Sequence, residues 1–231
     1  MADVACKPGA KMITEAVQDY LKTIYKLQQD GERSAVNTSL VAESMQVSAA
    51  SATNMIKKLA EMNLVDHQPY QGVVLTGAGE KMALEILRHH RLLELYLADA
   101  LGYSLDEVHD EAERLEHAIS EDFEDRIDRA LGYPTVGAHG EPIPTKHGQI
   151  ASHDYDSLAE VEVGQAVVVR QVSDHSPEML RYMIDKGLVL GAQVEVRERA
   201  PFSGPLRLGV KTAEEHVSLE VAQHIFVEPA P

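Results

Sequence analysis

The sequence predicts a mainly α-helical chain with a small all-β domain at its C-terminal end. Two observations lead to this fold class. Apolar residues recur at helical spacing through most of residues 14–131, with one short pair of strand-like segments between them. Beyond the glycine- and proline-containing stretch at 133–157, valines alternate with polar residues or occur in runs, as they do in strands.

Composition limits the class of protein. The 231 residues suffice for one large domain or two to three small ones, and the net charge of −16 argues against non-specific nucleic-acid binding through bulk charge. The single cysteine, Cys6, excludes an intrachain disulfide and a thiolate zinc site. Because no segment is typical of a signal peptide or a membrane span, we expect a cytoplasmic protein without a membrane partner.

Three helices are predicted in the first part of the chain, over 14–30, 40–45 and 49–62. Ser48 is placed to cap the third helix. The short connection between the second and third helices is the arrangement of a helix-turn-helix.

The third helix has the composition of a recognition helix. Its first turns are small and polar, which suits a major groove, and no acidic residue occurs between Gln46 and Ala60. Asn54 can contact an adenine edge, whereas the hydroxyls before it can reach phosphates. A small helical core without nucleic acid is the alternative. The predicted DNA-contacting residues are Ser48, Ala50, Ser51, Thr53, Asn54 and Lys57.

A predicted hairpin and a long helix follow. Residues 64–67 and 73–75 are typical of two strands across a turn, which would form the wing of a winged helix-turn-helix. A helix is then predicted over 77–100. Its last part, 92–97, is apolar nearly all round, which favours a dimer interface.

The most acidic part of the chain is 81–132, with 14 acidic and 6 basic residues. A capping box at Ser104 and Glu107 predicts a helix that includes 109–117. Four of its side chains would share one face, at offsets of 4, 7 and 8 residues: His109, Glu113, Glu116 and His117. A divalent cation would relieve the repulsion between the carboxylates, and imidazole is a common metal ligand. A second cluster upstream, His89, His90 and Glu94, favours a metal site over a solvated charged face.

The rest of the chain alternates between loop and strand patterns. A helix is predicted over 121–131 and a surface loop and linker over 133–157. Strands over 160–172 and 193–199, a short helix over 176–186 and a turn at 202–205 predict a small β-barrel-like module.

The chain resembles the diphtheria-toxin-repressor family of metal-dependent transcriptional regulators, and specifically its manganese-sensing members. The resemblance covers nearly the whole length and is carried by six segments in order: Asp19–Tyr25, Leu40–Ser51, Leu75–Gly79, His90–Glu94, Val108–His117 and His139–Pro144. It implies a winged helix-turn-helix DNA-binding domain over 1–76 and a helical metal-binding and dimerisation domain over 77–150. A linker over 151–160 and an SH3-like (FeoA-type) β-barrel over 161–231 would complete the chain.

The resemblance also implies two metal sites. The primary site maps onto Asp19, Glu113, Glu116 and His117, and the ancillary site onto His90, Glu94 and His109. In manganese-type relatives the equivalent of His90 can join the primary site. Asp174, His175 and Glu178 lie where a third domain adds ancillary ligands, but their spacing departs from the family pattern, so they are not assigned. Lys22 is a second departure from the family pattern, since some manganese sensors have a carboxylate at that position.

The ligand types indicate the metal. The iron-sensing branch has a thioether at position 19 and a thiol at 113, whereas here both are carboxylates, which favour Mn²⁺. The resemblance thus implies a Mn²⁺-responsive repressor of metal-uptake genes that binds double-stranded DNA as a homodimer at a palindromic operator. Fe²⁺ is the alternative metal.

Two other functions compete with this one. A metal-dependent phosphohydrolase would use the His109-Asp110 pair, but Asp110 would lie off the face of His109 and Glu113. A metal buffer or carboxylate-bridged oxidase would need Glu-x-x-His pairs on two helices, and the chain has none.

Overall fold

The computed structural model describes residues 13–30, 35–68, 71–152, 154–173 and 176–230. The chain divides into two compact units, one up to Leu87 and one from Arg88 onward. Asp174 and His175, which the sequence placed near the ancillary site, lie outside the described residues. None of the described helices is both long and apolar enough to cross a membrane.

The first unit is a winged helix-turn-helix. Its elements are α1 (Glu15–Asp30), α2 (Thr38–Ser44), α3 (Ala49–Glu61), β1 (Val65–Gln68), β2 (Gly72–Leu75) and the first part of α4 (Gly77–Leu101). The two strands form an antiparallel hairpin in which Val65 is opposite Leu75. Both α2 and the hairpin contact α1, and α3 contacts α2 and β1. The predicted helix-turn-helix and wing are thus confirmed.

Side-chain caps determine where the two short helices begin. The Ser48 hydroxyl accepts a hydrogen bond from the Ser51 amide, as the sequence indicated for α3. Asn37 caps α2 in the same way by accepting from the Ser39 amide. The helix therefore starts at Thr38, two residues before the predicted start.

The helical part of the second unit consists of the remainder of α4, α5 (Val108–Leu115) and α6 (Glu121–Ala130). They share an apolar core that includes Leu92, Leu93, Leu97, Val108, Ala112 and Ile127. Leu95 and Tyr96 pack against this core as well. Residues 92–97 of α4 are therefore largely covered within their own unit. The large apolar residues that are exposed in this part of the chain include Leu101, Phe123 and Tyr133.

The helix predicted to include 109–117 ends earlier than expected: Glu116 is its C-cap, still with helical φ and ψ, and His117 lies in the turn that follows. Residues 105–107 form a turn, and α5 begins at Val108 and ends at Leu115. The chain then turns, and the Ser120 side chain caps α6 by accepting a hydrogen bond from the Phe123 amide. The carbonyl of Glu116 accepts a hydrogen bond from Nδ1 of His89. Glu116 is thus positioned at the end of the helix and His117 by the turn that follows.

The C-terminal part of the second unit is a six-stranded antiparallel sheet. Its elements are β3 (Asp156–Ser157), a 3-10 turn (Leu158–Glu160), β4 (Ala166–Val172), α7 (Pro177–Asp185), β5 (Gln193–Arg199), β6 (Leu206–Val210), β7 (Ala213–Val217), α8 (Leu219–Ala222) and β8 (Ile225–Pro229). The strand order is β3-β8-β4-β5-β6-β7. The small all-β domain is confirmed, but closure into a barrel is not seen among the described strands, because β3 and β7 are the two edges. The strand predicted to start at 160 starts at Ala166.

Candidate metal centre

One buried carboxylate oxygen lies among three imidazoles. Oε1 of Glu94 is 2.9 Å from Nε2 of His90 and 3.2 Å from Nδ1 of His109. Nε2 of His139 is 3.8 Å from the same oxygen. His90 and Glu94 face each other because they are one turn apart on α4, and His109 comes from the first turn of α5.

A second carboxylate faces the other side of the His90 ring. Oε2 of Glu116 is 2.6 Å from Nδ1 of His90, and Oε1 of Glu116 is 3.4 Å from Nε2 of His117. Glu94 and Glu116 are both fully buried. His90 therefore lies between two carboxylates, with one ring nitrogen toward each.

Glu113 completes this group from the solvent side. Its Oε1 is 3.8 Å from Nδ1 of His90 and 3.8 Å from Nε2 of His109. One ligand atom from each of His90, His109 and Glu113 lies within 4.8 Å of the others, close enough to share one ion. The structure thus brings together six of the residues assigned from the sequence: His90, Glu94, His109, Glu113, Glu116 and His117. Asp19 is half-buried on α1 of the first unit, and its role as a ligand stays a prediction.

The electrostatics of the group suit a cation. Burial by itself raises the pKa of the Glu94 carboxyl. The imidazoles outweigh that effect, His90 by its charge and a hydrogen bond, His109 by a hydrogen bond and His139 by its charge. The pKa of Glu94 therefore lies well below its usual range, so the carboxylate is charged and available as a ligand.

His139 is a residue of this centre that the sequence did not assign. It is 1% exposed and lies in the irregular segment between α6 and β3. Helical or strand periodicity gives no information in such a segment, so only the position of His139 inside a motif shared with the family drew attention to it.

A buried ionic network lies next to the centre. The Arg88 guanidinium donates to Glu124 at 2.5 Å, to Asp128 at 2.7 Å and to the carbonyl of Pro144 at 2.9 Å. His89, which the sequence grouped with His90, lies 3.4 Å from Glu124 through Nε2. His89 thus links this network to the turn that holds Glu116.

The predicted DNA-contacting residues are accessible on α3, with differences between them. Ala50, Asn54 and Lys57 are exposed. The Thr53 hydroxyl is half-buried and donates to the carbonyl of Ala49 at 2.7 Å. Ser48 and Ser51 are exposed, and their hydroxyls lie 2.9 Å apart in the cap of α3. Asn54 and Lys57 are therefore better placed than Thr53 to meet a ligand.

Glu178, in the first turn of α7, is exposed.

Comparison with known proteins places the whole chain among metal-dependent regulators. Three family models match it: the N-terminal DNA-binding domain of iron-dependent repressors over 12–73, their metal-binding and dimerisation domain over 76–145, and the FeoA domain over 157–229. The iron-dependent repressor IdeR of Mycobacterium leprae is 32% identical over 230 residues, covering 94% of this chain and 98% of the relative. The diphtheria toxin repressor of Corynebacterium glutamicum is 26% identical over 197 residues, covering 80% and 85%.

Solved structures extend the likeness to manganese-dependent proteins. A manganese-dependent transcriptional repressor in complex with manganese is 39% identical, with a TM-score of 0.84, and the match covers 93% of this chain and 100% of that one. ScaR with bound Cd²⁺ is 33% identical, with a TM-score of 0.79, and the match covers 93% and 99%.

Proposed function

Because this chain belongs to the iron-dependent repressor family, which includes the diphtheria toxin repressor, we propose that it represses transcription as a Mn²⁺-loaded dimer on a palindromic operator. Membership makes the chain a metal-dependent transcriptional regulator and not a phosphohydrolase or an oxidase. The observation that carries the proposal is the buried group around His90 and Glu94, which occurs in the same chain as a winged helix-turn-helix.

We assign ligands from the chemistry of the group. A neutral imidazole has one N–H and one lone pair, so His90 can bind a metal through only one of its nitrogens. If Nδ1 donates to Glu116, then Nε2 is left to bind an ion together with Glu94 and His109. Carboxylates that orient a ligating imidazole in this way also raise its basicity. The geometry thus supports assigning His90 to the ancillary site.

The primary site would use Glu113, Glu116 and His117, joined by Asp19. The support for Asp19 is the resemblance to the family and the chemistry of a further hard oxygen ligand. These residues would hold a divalent ion, whose charge would offset the repulsion between the carboxylates. Since Asp19 is on the unit that carries α3, its fixation would limit the positions available to the recognition helices. Two such helices would then match half-sites ~34–36 Å apart, or a multiple of that.

The dimer and the metal have separate support. Leu101, Phe123 and Tyr133 are large apolar residues left exposed on the helical part of the second unit, and they would be covered in a dimer. For the metal, carboxylates at 19 and 113 favour Mn²⁺, and a manganese-dependent repressor is 39% identical. Fe²⁺ is the alternative, since the relative of M. leprae is named an iron-dependent repressor.

The test is a DNA-binding titration with controlled metal. Fluorescence anisotropy with an operator fragment from the chain's own promoter region should show tight binding with Mn²⁺ and its loss in EDTA, because metal and DNA each strengthen binding of the other. Activation at lower free Fe²⁺ than Mn²⁺, relative to cellular levels, would favour the alternative metal. DNA affinity that is the same in EDTA and in Mn²⁺ would refute the proposal.

Variants locate the response. Glu113→Ala combined with His117→Ala should abolish the effect of Mn²⁺ on DNA binding while the circular dichroism spectrum is retained. The matched control is Asp110→Ala on the same helix, because Asp110 is exposed and outside the proposed ligand set. Full metal response in the double variant would remove these residues from the site.

A further inference from the structure

We propose that the β domain, residues 156–229, positions the metal ligand His109 through the turn that precedes α5. Leu105 and Asp106 of this turn, together with Arg181 of α7, act as positioning residues. They set the metal affinity of the ancillary site without touching the ion. The inference rests on the proposed function, since it assumes that His109 binds a metal ion in that site.

The start of α5 has little support of its own. Its N-cap residue, Glu107, makes no side-chain hydrogen bond to the helix. The Glu107 carboxylate instead accepts a hydrogen bond of 2.6 Å from the Ser104 hydroxyl. α5 has eight residues, and a helix of this length is not stable in isolation. Contacts with the rest of the unit must therefore fix its first turn, in which His109 is the second residue.

An apolar contact joins the preceding turn to the β domain. Leu105 is half-buried and packs against the apolar core of the β domain, whose other members lie between Leu158 and Val227. Val108, three residues later, is fully buried in the core of the helical part. The chain thus passes from one apolar core to the other within four residues, immediately before His109.

An ion pair adds a second contact between the turn and the β domain. Oδ2 of Asp106 is 3.0 Å from Nε of Arg181. The Asp106 side chain is 18% exposed and that of Arg181 is 60% exposed, so solvent screens the pair and it should contribute less than the packing of Leu105. Leu180 and Met183 of α7 are buried in the core of the β domain. Arg181 therefore extends from a helix whose position is fixed.

The effect of these contacts should fall mainly on one metal site. His109 follows Asp106 by three residues, and its Nδ1 is 3.2 Å from Oε1 of Glu94. Groups that orient a metal ligand contribute to affinity although they do not bind the ion. The other end of α5 is held separately, because the carbonyl of Glu116 accepts a hydrogen bond from Nδ1 of His89. A change in the turn should thus weaken the ancillary site, which uses His109, more than the primary site.

The experiment compares the two metal sites in the full-length protein. Isothermal titration calorimetry with Mn²⁺ gives the number of ions and their affinities, and His109→Ala identifies the ancillary site as the one that is lost. Leu105→Ala should weaken this site at least ~5-fold and the other site less than ~2-fold. The control is Leu219→Ala, since Leu219 is also half-buried and packs against the same core from within the β domain. Equal weakening in the two variants, equal weakening of the two sites, or no weakening in Leu105→Ala would overturn the proposal.

The ion pair provides a test that leaves the apolar contact in place. Asp106→Ala and Arg181→Ala should each weaken the ancillary site by about two- to five-fold. The double variant should be no weaker than either single variant, since both remove the same interaction. Arg181→Lys should restore part of the affinity because it keeps the charge. Arg207→Ala, which removes an ion pair with Glu198 inside the β domain, is the control. Losses that multiply in the double variant would overturn the role of the pair.

Hydrogen exchange of the metal-free protein tests the same positioning without a metal ion. In EDTA, the amides of α5 should exchange at least ~5-fold faster in Leu105→Ala than in the wild type, because the start of the helix opens more often. Leu219→Ala should leave their exchange within ~2-fold. Unchanged exchange of α5 in Leu105→Ala would overturn the proposal. A wild-type protein that takes up no metal would instead contradict the proposed function, and the exchange measurement would still test the role of the turn.

Discussion

Nδ1 of His90 lies 2.6 Å from Oε2 of Glu116, and both side chains are buried. The opposite ring nitrogen is 2.9 Å from Glu94. One imidazole is therefore shared between the carboxylate assigned to the primary site and the carboxylate assigned to the ancillary site. A substitution of Glu116 should consequently affect both metal sites.

We expect Glu116→Gln to weaken both metal sites. The variant loses a ligand charge at the primary site and the carboxylate that orients His90 at the ancillary site. Each affinity should fall at least ~10-fold in a calorimetric titration. Loss of a group that orients a metal ligand typically weakens metal binding by about 10- to 100-fold. The control is Glu111→Gln, at a partly exposed pair with Arg114. If the metal affinity of the ancillary site is unchanged in Glu116→Gln, His90 does not couple the two metal sites.

The buried network at Arg88 should matter more to stability than a surface pair. Arg88→Ala leaves Glu124 buried without its guanidinium partner, which should lower the free energy of unfolding by ~3–5 kcal/mol. Arg126 pairs with Asp122 one turn away on the exposed face of α6. Arg126→Ala should change stability by less than ~0.5 kcal/mol. Urea denaturation in EDTA measures both, and equal effects would argue against the network.

The stability of the metal-free protein should depend on Glu124 in acid. Burial raises the pKa of this carboxyl, but hydrogen bonds from His89 and Arg88 outweigh it and lower the pKa to about 2 from an ordinary value of 4.5. The carboxylate therefore stabilises the folded state at pH above 4.5, and this contribution, on the order of 3 kcal/mol, is lost as the pH falls toward 2.

Denaturation measured between pH 6 and 3 tests this dependence. The free energy of unfolding should fall less steeply below pH 4.5 in Glu124→Gln than in the wild type, because the variant has no carboxyl to protonate. Parallel curves would contradict the lowered pKa of Glu124.

Two glycines at the start of α4 should respond oppositely to alanine. A Cβ on Gly79 would be 2.0 Å from the carbonyl oxygen of Leu64, whereas one on Gly77 would meet no atom within 4 Å. Gly79→Ala should destabilise the first unit by ~1–3 kcal/mol, because the backbone must shift. Gly77→Ala should be neutral or stabilise it by up to ~1 kcal/mol. Thermal unfolding distinguishes them, and similar midpoints would refute the close contact.

On DNA, two residues of α3 should have different effects. Lys57→Ala should weaken binding to all sequences and reduce the slope of log affinity against log salt by about 1, as expected for a phosphate contact. Asn54→Ala should weaken binding to the preferred operator by ~1–3 kcal/mol and reduce the discrimination between bases at one base pair. Lys211→Ala, a change of equal charge at an exposed turn of the β domain, is the control. An unchanged base preference in Asn54→Ala would exclude direct contact with a base.

Much of the fold could be predicted because local chemistry determines it. Ser48 begins α3 where a serine before a run of small residues predicts a cap, and the alternating valines of β5 match the predicted strand at both ends. The sequence also identified residues that meet around His90, because a one-turn spacing on α4 already brings His90 and Glu94 together.

Other features depend on contacts that periodicity does not encode. α5 ends at Leu115, two residues before the end of the stretch predicted to be helical, so Glu116 reaches His90 from the C-cap of the helix. His139 is placed by a backbone hydrogen bond to β4, which a sequence without an alignment cannot indicate. Thr53 was expected to reach a phosphate, and its hydroxyl donates to the carbonyl of Ala49 in its own helix, a local alternative that threonines inside helices have.

The edge strand β7 also affects how copies of the chain meet. In the described part of the chain β7 is hydrogen-bonded on one side, to β6, and its glutamates form ion pairs with basic neighbours, Glu214 with Arg197 and Glu215 with Lys186. Charged side chains along an open edge discourage one sheet from extending into another, and so oppose aggregation and fibre growth. Concentrated protein should thus stay monodisperse, with self-association confined to the helical surface.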